Sequence, residues 1–148
     1  MKNIIVICLF ISFELVAYNQ ENPCDPAVLQ QAKDLLIENA NFLKDFNVYL
    51  EKATKKESPP AAKYSMVLSD STYYQFTIAS SSEYPGKAIF QLYAEEKLIG
   101  STYNPTTGKS DPSFQFRCMK TAVYHMLISF IDGEEGCAVG VLAYTGKF

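Results

Sequence analysis

Tryptophan is absent and histidine occurs once, at His125, in a sequence of 148 residues. A single imidazole excludes the HExxH zinc helix and any site built on several histidines. It leaves a Ser-His-acid triad formally open, yet no motif sets a nucleophile or an orienting acid beside His125. A basic surplus is lacking too: 13 Lys and Arg stand against 16 Asp and Glu, for a net charge of -3. The cations are dispersed apart from Lys55-Lys56, so no positive field draws in phosphate backbones, and nucleic acid is not an expected partner. Beyond residue 20 no apolar run approaches the roughly 20 residues that cross a bilayer, and no membrane insertion of the mature chain is expected.

What the sequence does contain starts with an address. Met1-Lys2-Asn3 is a short cationic start, Ile4 to Phe13 is apolar, and Val16-Ala17 precedes polar Tyr18-Asn19-Gln20. That layout predicts a secretory signal over residues 1–20 and a secreted, periplasmic or extracellular protein. Cys8 leaves with the signal, so Cys24, Cys118 and Cys137 enter an oxidising compartment as an odd set. Alternation places Phe114, Phe116 and Cys118 on one strand face, and Cys137, Val139 and Val141 on another. A Cys118-Cys137 bridge is the first expectation; it would close about 19 residues and stabilise by roughly 3 kcal/mol through loop-closure entropy. The alternatives are two buried thiols, or Cys24 paired with either.

A helical period comes next. Asp25 is a cap-forming residue and Pro26 suits a first helical position. Leu29, Leu36, Leu43 and Leu50 recur every seven residues, with Ala32, Ala40, Phe46 and Tyr49 on the same side. The pattern predicts one long amphipathic helix within residues 21–56, roughly 40 Å in length. Its stripe would either pack on the rest of the chain or pair with a second copy as a homo-oligomer through the four leucines. Lys52, Lys55 and Lys56 would suit its C-terminus, and residues 57–63, with Pro59-Pro60, would form a linker.

From Tyr64 onward the period is two. Tyr64, Met66 and Leu68 alternate, Ser69-Asp70-Ser71 turns, and Tyr74, Phe76 and Ile78 alternate again, which reads as a hairpin. Ala88 to Tyr93 and Leu98 to Tyr103 form a second pair, and Asn104 to Asp111 is turn chemistry. The last third holds three more strands, PSFQFRC, AVYHMLISFI and CAVGVLAY. The fold expectation is therefore mainly β with one long N-terminal helix. Residues 64–148 would form an antiparallel, jelly-roll-like β-sandwich of about seven strands with the helix packed on it.

The blocks YSMVLSDSTYYQFTI, AIFQLYAEEKLIGS and SFQFRCMKTAVYHMLISF resemble the secreted sandwich domains called pre-peptidase C-terminal domains and, more distantly, the GOLD domain of secretory-pathway proteins. Thr121-Ala122 stands where those families usually place a Gly before the Tyr-containing strand. The resemblance implies a binding or accessory module outside the cytoplasm and transfers no catalytic residue.

Candidate site residues are few. Tyr73, Tyr84 and Tyr103 fall on exposed phases or loops and could recognise a protein or glycan through rigid amphipathic area. Asp132, Glu134 and Glu135 crowd one turn without the Asp-x-Asp-x-Asp spacing of a calcium loop. No pattern asks for a metal or a cofactor. His125 alternates with Val123, Leu127 and Ser129, opposite Tyr124, Met126, Ile128 and Phe130, and belongs on the outer side of its strand. The functional expectation is an exported, non-catalytic binding module. Its alternatives are an oligomeric envelope protein assembling through the helix and, third, a hydrolase using His125.

Overall fold

The computed structural model describes residues 23–148, so the signal segment expected over residues 1–20 lies outside the described residues. Among these, one α-helix, α1 (Pro26–Asp34), precedes ten strands. They are β1 (Asn41–Leu50), β2 (Ala62–Leu68), β3 (Thr72–Ser80), β4 (Ala88–Ala94), β5 (Lys97–Ser101), β6 (Tyr103–Asn104), β7 (Lys109–Ser110), β8 (Ser113–Cys118), β9 (Ala122–Phe130) and β10 (Gly136–Lys147). Strands β1-β10-β3-β8 form one sheet and β2-β9-β4-β5 a second, while β6 and β7 make a separate ribbon. Every pairing is antiparallel. Against the expected seven, the additional strands are β1 and the two short strands β6 and β7, with β6 split off from the expected Leu98–Tyr103 strand and β7 inside the Asn104–Asp111 turn region.

The two sheets meet through their apolar alternates. Phe46 and Val48 of β1, Phe76 and Ile78 of β3, and Leu142 of β10 face Leu68 of β2, Phe90 and Leu92 of β4, and Met126 and Ile128 of β9. Phe90 is the hinge of this core: its ring lies edge-on to Phe76 at 5.4 Å and to Phe46 at 5.8 Å, across the gap between sheets. Phe76 in turn stacks on Phe114 at 5.0 Å. Gly140 makes room for this, since a Cβ there would sit 2.8 Å from the Phe90 ring.

The long helix is corrected. Only Pro26–Asp34 is helical, with Asp25 accepting from the Ala27 N–H and Pro26 at the first turn, as the cap chemistry predicts. The chain then turns through Asn39, at φ 67°, and runs as edge strand β1. Phe46, Val48 and Leu50 point into the core at period two, which outweighs the heptad spacing. A register shift between Phe42 and Lys44 hides that alternation in the strand's first half. The four leucines consequently share no face: Leu29 packs at the helix, Leu36 follows its end, Leu43 is 48% exposed at the bulge, and Leu50 joins the core. Lys52, Lys55 and Lys56 follow a strand, not a helix terminus, and the irregular connection runs over residues 51–61, so that Ala62 and Lys63 of the expected linker already belong to β2.

Strands β2 and β3 do not form the expected hairpin. Alternation is equally satisfied by an arch, and here β2 pairs with β9 while β3 pairs with β10 and β8. Ser71, at φ 54°, turns the chain from one sheet to the other. The closing strands likewise change sheet, with β8 and β10 flanking β3 and β9 opposite them.

The disulfide is Cys24–Cys137, not Cys118–Cys137. Cys118 sits beside Thr72 at one end of β3, whereas Cys137 lies just beyond the residue that pairs with Ser80 at the other end. That separation is about 30 Å at the rise of an extended strand. The faces differ as well: Cys118 belongs to the inner core, and Cys137 joins Cys24, Val28 and Val139 beneath the helix. Cys118 is the buried free thiol, within 3.3 Å of the Lys120 carbonyl oxygen. The outward polar residues of β3 complete the docking. Thr77 Oγ1 donates to the Ala32 carbonyl at 2.7 Å, and Gln75 both donates to the Leu35 carbonyl and accepts from the Ile37 N–H. The carbonyls that a helix C-terminus leaves orphaned are thus satisfied by the sheet below.

Two stability outcomes are expected. Phe90→Ala should cost about 3–5 kcal/mol in urea unfolding, because it opens a cavity between both sheets; a loss below about 1 kcal/mol would contradict this role. Replacing Cys24 and Cys137 by Ser should cost about 2–5 kcal/mol, whereas Cys118→Ala, measured under the same non-reducing conditions, should leave the bridge intact.

Candidate functional site

The two outer faces of the molecule differ. Helix α1 lies over β10 and β3 of the first sheet, pinned there by the disulfide. Among the described residues no element comparably covers the outer face of the second sheet, and its strands present their alternate residues outward. Register fixes which of these are neighbours. Val67 of β2 pairs with Val123 of β9; Ser65 pairs with His125, which pairs with Tyr93 of β4; Lys63 pairs with Leu127, which pairs with Gln91. Beyond Tyr93 comes its partner Leu98 of β5. Val67 is 63%, Val123 52% and Leu98 44% exposed, so aliphatic area is interleaved with polar groups on one continuous sheet surface.

A hollow of about 470 Å³ occupies this face, lined by Lys63, Tyr64, Ser65, Tyr93, Glu95, Glu96, His125 and Leu127. Glu95 and Glu96 form the turn between β4 and β5, with Glu95 held at φ 54°. His125 lies outward, as its alternation predicts, with Tyr124, Met126, Ile128 and Phe130 buried on the opposite phase. Ser65 Oγ lies 2.8 Å from His125 Nδ1. A serine nucleophile further needs a carboxylate to orient the imidazole and donors for an oxyanion. Among the described residues Ser65 is the imidazole's sole hydrogen-bond partner, so the pair offers polar groups to a ligand without the third member of a triad.

The residues singled out from the sequence fall in three places. Tyr73 lies against the C-terminal Phe148 at 4.8 Å, with the Arg117 guanidinium 4.0 Å from the Phe148 ring. Tyr103 opens the β6–β7 ribbon and lines a shallow hollow with Leu98, Asn104 and Lys109. Tyr84, Glu134 and Glu135 do come together, at the end of β1. Tyr49, expected only as part of a helical stripe, donates to Glu135 at 2.5 Å and faces the Tyr84 ring at 5.4 Å, while Lys52 pairs with Glu134 at 3.3 Å. Asp132, at φ 56°, sits beside this group and lines a smaller hollow with Ala53, Lys56 and Pro59. Three of its carboxylates are therefore spread over a turn, two of them already partnered.

The residues around His125 were not singled out because their proximity is a matter of register. Alternation does place Ser65, Tyr93 and Leu127 outward, and that is the one signal that could have found them. Which strand lies beside β9 is not encoded in any short segment.

No family model matches the chain, and no curated protein matches it. A solved structure is similar: PliG of Aeromonas hydrophila, a periplasmic lysozyme inhibitor of g-type lysozyme, with a TM-score of 0.53. The two chains share 13% identity over 74% of this chain and 91% of that one. The likeness is one of fold.

The Tyr49–Glu135 bond has a spectroscopic consequence. Chiefly because Tyr49 donates to that carboxylate, its hydroxyl is pushed up to about 12. Burial pushes Tyr124 up to about 12 as well. Raised tyrosine values favour the neutral, folded form below the ordinary value of about 10 and lose that advantage as pH climbs toward the raised value. Glu135→Gln should therefore move one tyrosine in an absorbance titration back toward about 10 and leave the Tyr124 transition late; two unmoved late transitions would contradict the Tyr49 bond.

Proposed function

We propose that the chain is an exported, non-catalytic protein-binding module, a β-sandwich whose partner is a lysozyme-type enzyme outside the cytoplasm. The observation that carries this reading is the asymmetry of the two sheets. One outer face is occupied by a helix that a disulfide locks in place, and the other offers exposed valines and a leucine among polar neighbours, the composition of a protein-recognition surface. The disulfide suits an oxidising compartment, in agreement with the signal-like N-terminus.

The partner class comes from the fold likeness to the periplasmic inhibitor of g-type lysozyme. The resemblance to pre-peptidase C-terminal and GOLD-like domains favours the same kind of accessory role. A protein partner is preferred over a glycan because Tyr73, Tyr84 and Tyr103 stand in three separate places and make no common stacking platform.

Mixing the exported chain with g-type lysozyme should yield a complex by size-exclusion chromatography and a slower lysis of cell-wall suspensions. Val123→Glu, a change at an exposed position that should leave folding nearly untouched, should weaken that complex about tenfold or more by placing a charge in the apolar centre. No complex at micromolar protein with g-type or other lysozymes would overturn the partner assignment, and unaltered affinity in Val123→Glu would overturn the assigned face.

A further inference from the structure

The hollow around His125 has a chemistry of its own. Glu95 and Glu96 bring two carboxylates to its rim, and among the described residues neither has an ion-pair partner or a side-chain hydrogen bond. Lys63 is the one lysine or arginine in the lining. Tyr93 supplies aromatic surface, Leu127 aliphatic surface, and Ser65 Oγ and the exposed His125 ring supply polar groups. The whole chain carries a net charge of -3, so its long-range field also favours a cationic visitor.

We propose that this hollow is the anchor pocket of the binding face and receives an arginine side chain from the protein partner. The inference rests on the protein-binding reading and adds the chemistry of what is bound. A planar guanidinium stacks on a tyrosine face and offers forked donors to carboxylates, and its three-carbon stem packs against aliphatic surface. The hollow presents those three surfaces together: Tyr93 for the plane, Glu95 and Glu96 for the donors, Leu127 for the stem. Rim carboxylates without partners lose no existing salt bridge when the arginine arrives. An anchor of this type, buried at the centre of an otherwise weakly contributing contact, is how a modest sheet face gains specificity.

Because His125 is the only histidine, its ring protons give a single-residue NMR reporter inside the hollow. N-acetyl-argininamide titrated into the exported chain should shift those signals in a saturable manner. N-acetyl-glutaminamide should not, and N-acetyl-lysinamide should bind more weakly. In the E95Q/E96Q double variant arginine-amide binding should fall by about tenfold, the loss expected when a charge-assisted hydrogen bond is removed, and in Tyr93→Leu it should fall by about threefold or more through loss of the cation–π face. Equal shifts from the neutral amide, no saturable shift, lysine-amide binding as tight as arginine-amide binding, or binding unchanged in the double variant would each overturn the assignment.

The same variants separate this inference from the reading beneath it. A lysozyme complex that forms with full affinity in E95Q/E96Q would remove the anchor and leave the partner in place. Arginine-amide binding without any lysozyme complex would keep the anchor and remove that partner.

Discussion

The packing of Phe90 between Phe46 and Phe76 is the contact on which the rest of the architecture depends. It joins an inner residue of β4 to inner residues of β1 and β3, so each sheet buries its apolar face only where the other supplies rings to receive it. Gly140 is part of the same constraint, because any side chain at that point of β10 would occupy the space of the Phe90 ring. With the inner faces committed to one another, the outer faces become the variable surfaces. What covers them decides what the molecule can do.

The first sheet resolves its outer face within the chain. Val28 and Ala32 cover it, Thr77 and Gln75 satisfy the end of the helix, and Cys24–Cys137 ties the start of the helix to β10 across a separation of 113 residues. A loop of that length makes the bridge worth about 4–5 kcal/mol in loop-closure terms. The second sheet makes no such arrangement. Its outer face keeps Val67 and Val123 in solvent next to a hollow whose two carboxylates have no ion-pair partner among the described residues. A protein that places a helix and a disulfide on one outer face and leaves the opposite face open presents two chemically different sides.

Cys118 shows how compartment and packing interact. An odd cysteine is a liability wherever disulfides form, if it is exposed. Cys118 is instead fully buried, near the Lys120 carbonyl and the Tyr124 hydroxyl, and Tyr124 itself donates to the Lys120 carbonyl at 2.8 Å. The thiol behaves as a small apolar residue at the end of the core, and the reactive chemistry that an unpaired cysteine suggests is withheld by burial.

Local patterns made much of this legible. Alternation in AVYHMLISF and SFQFRC, the cap at Asp25-Pro26, and the outward phase of His125 all follow from short-range geometry, and each survives in the structure. Structure departs from local pattern where two periods compete or where distance in sequence matters. Leucines at intervals of seven imitated a helix through Leu50 because a bulge at Phe42–Lys44 masked the strand period, and only the demand of the core for Phe46 and Val48 decided between them. The site was half legible in the same sense: Ser65, Tyr93 and His125 could each be assigned an outward phase, but not a common row.

A mainly β chain with a capped helix and an outward histidine follows from short-range pattern, because these depend on neighbours within a few residues. The tertiary structure alone decided that Cys24 reaches Cys137, that β2 and β3 part into different sheets, and that Ser65, His125 and Tyr93 align. Those outcomes depend on register and on which sheet a strand joins. Both are chosen by the burial of whole faces, a property that no single segment contains.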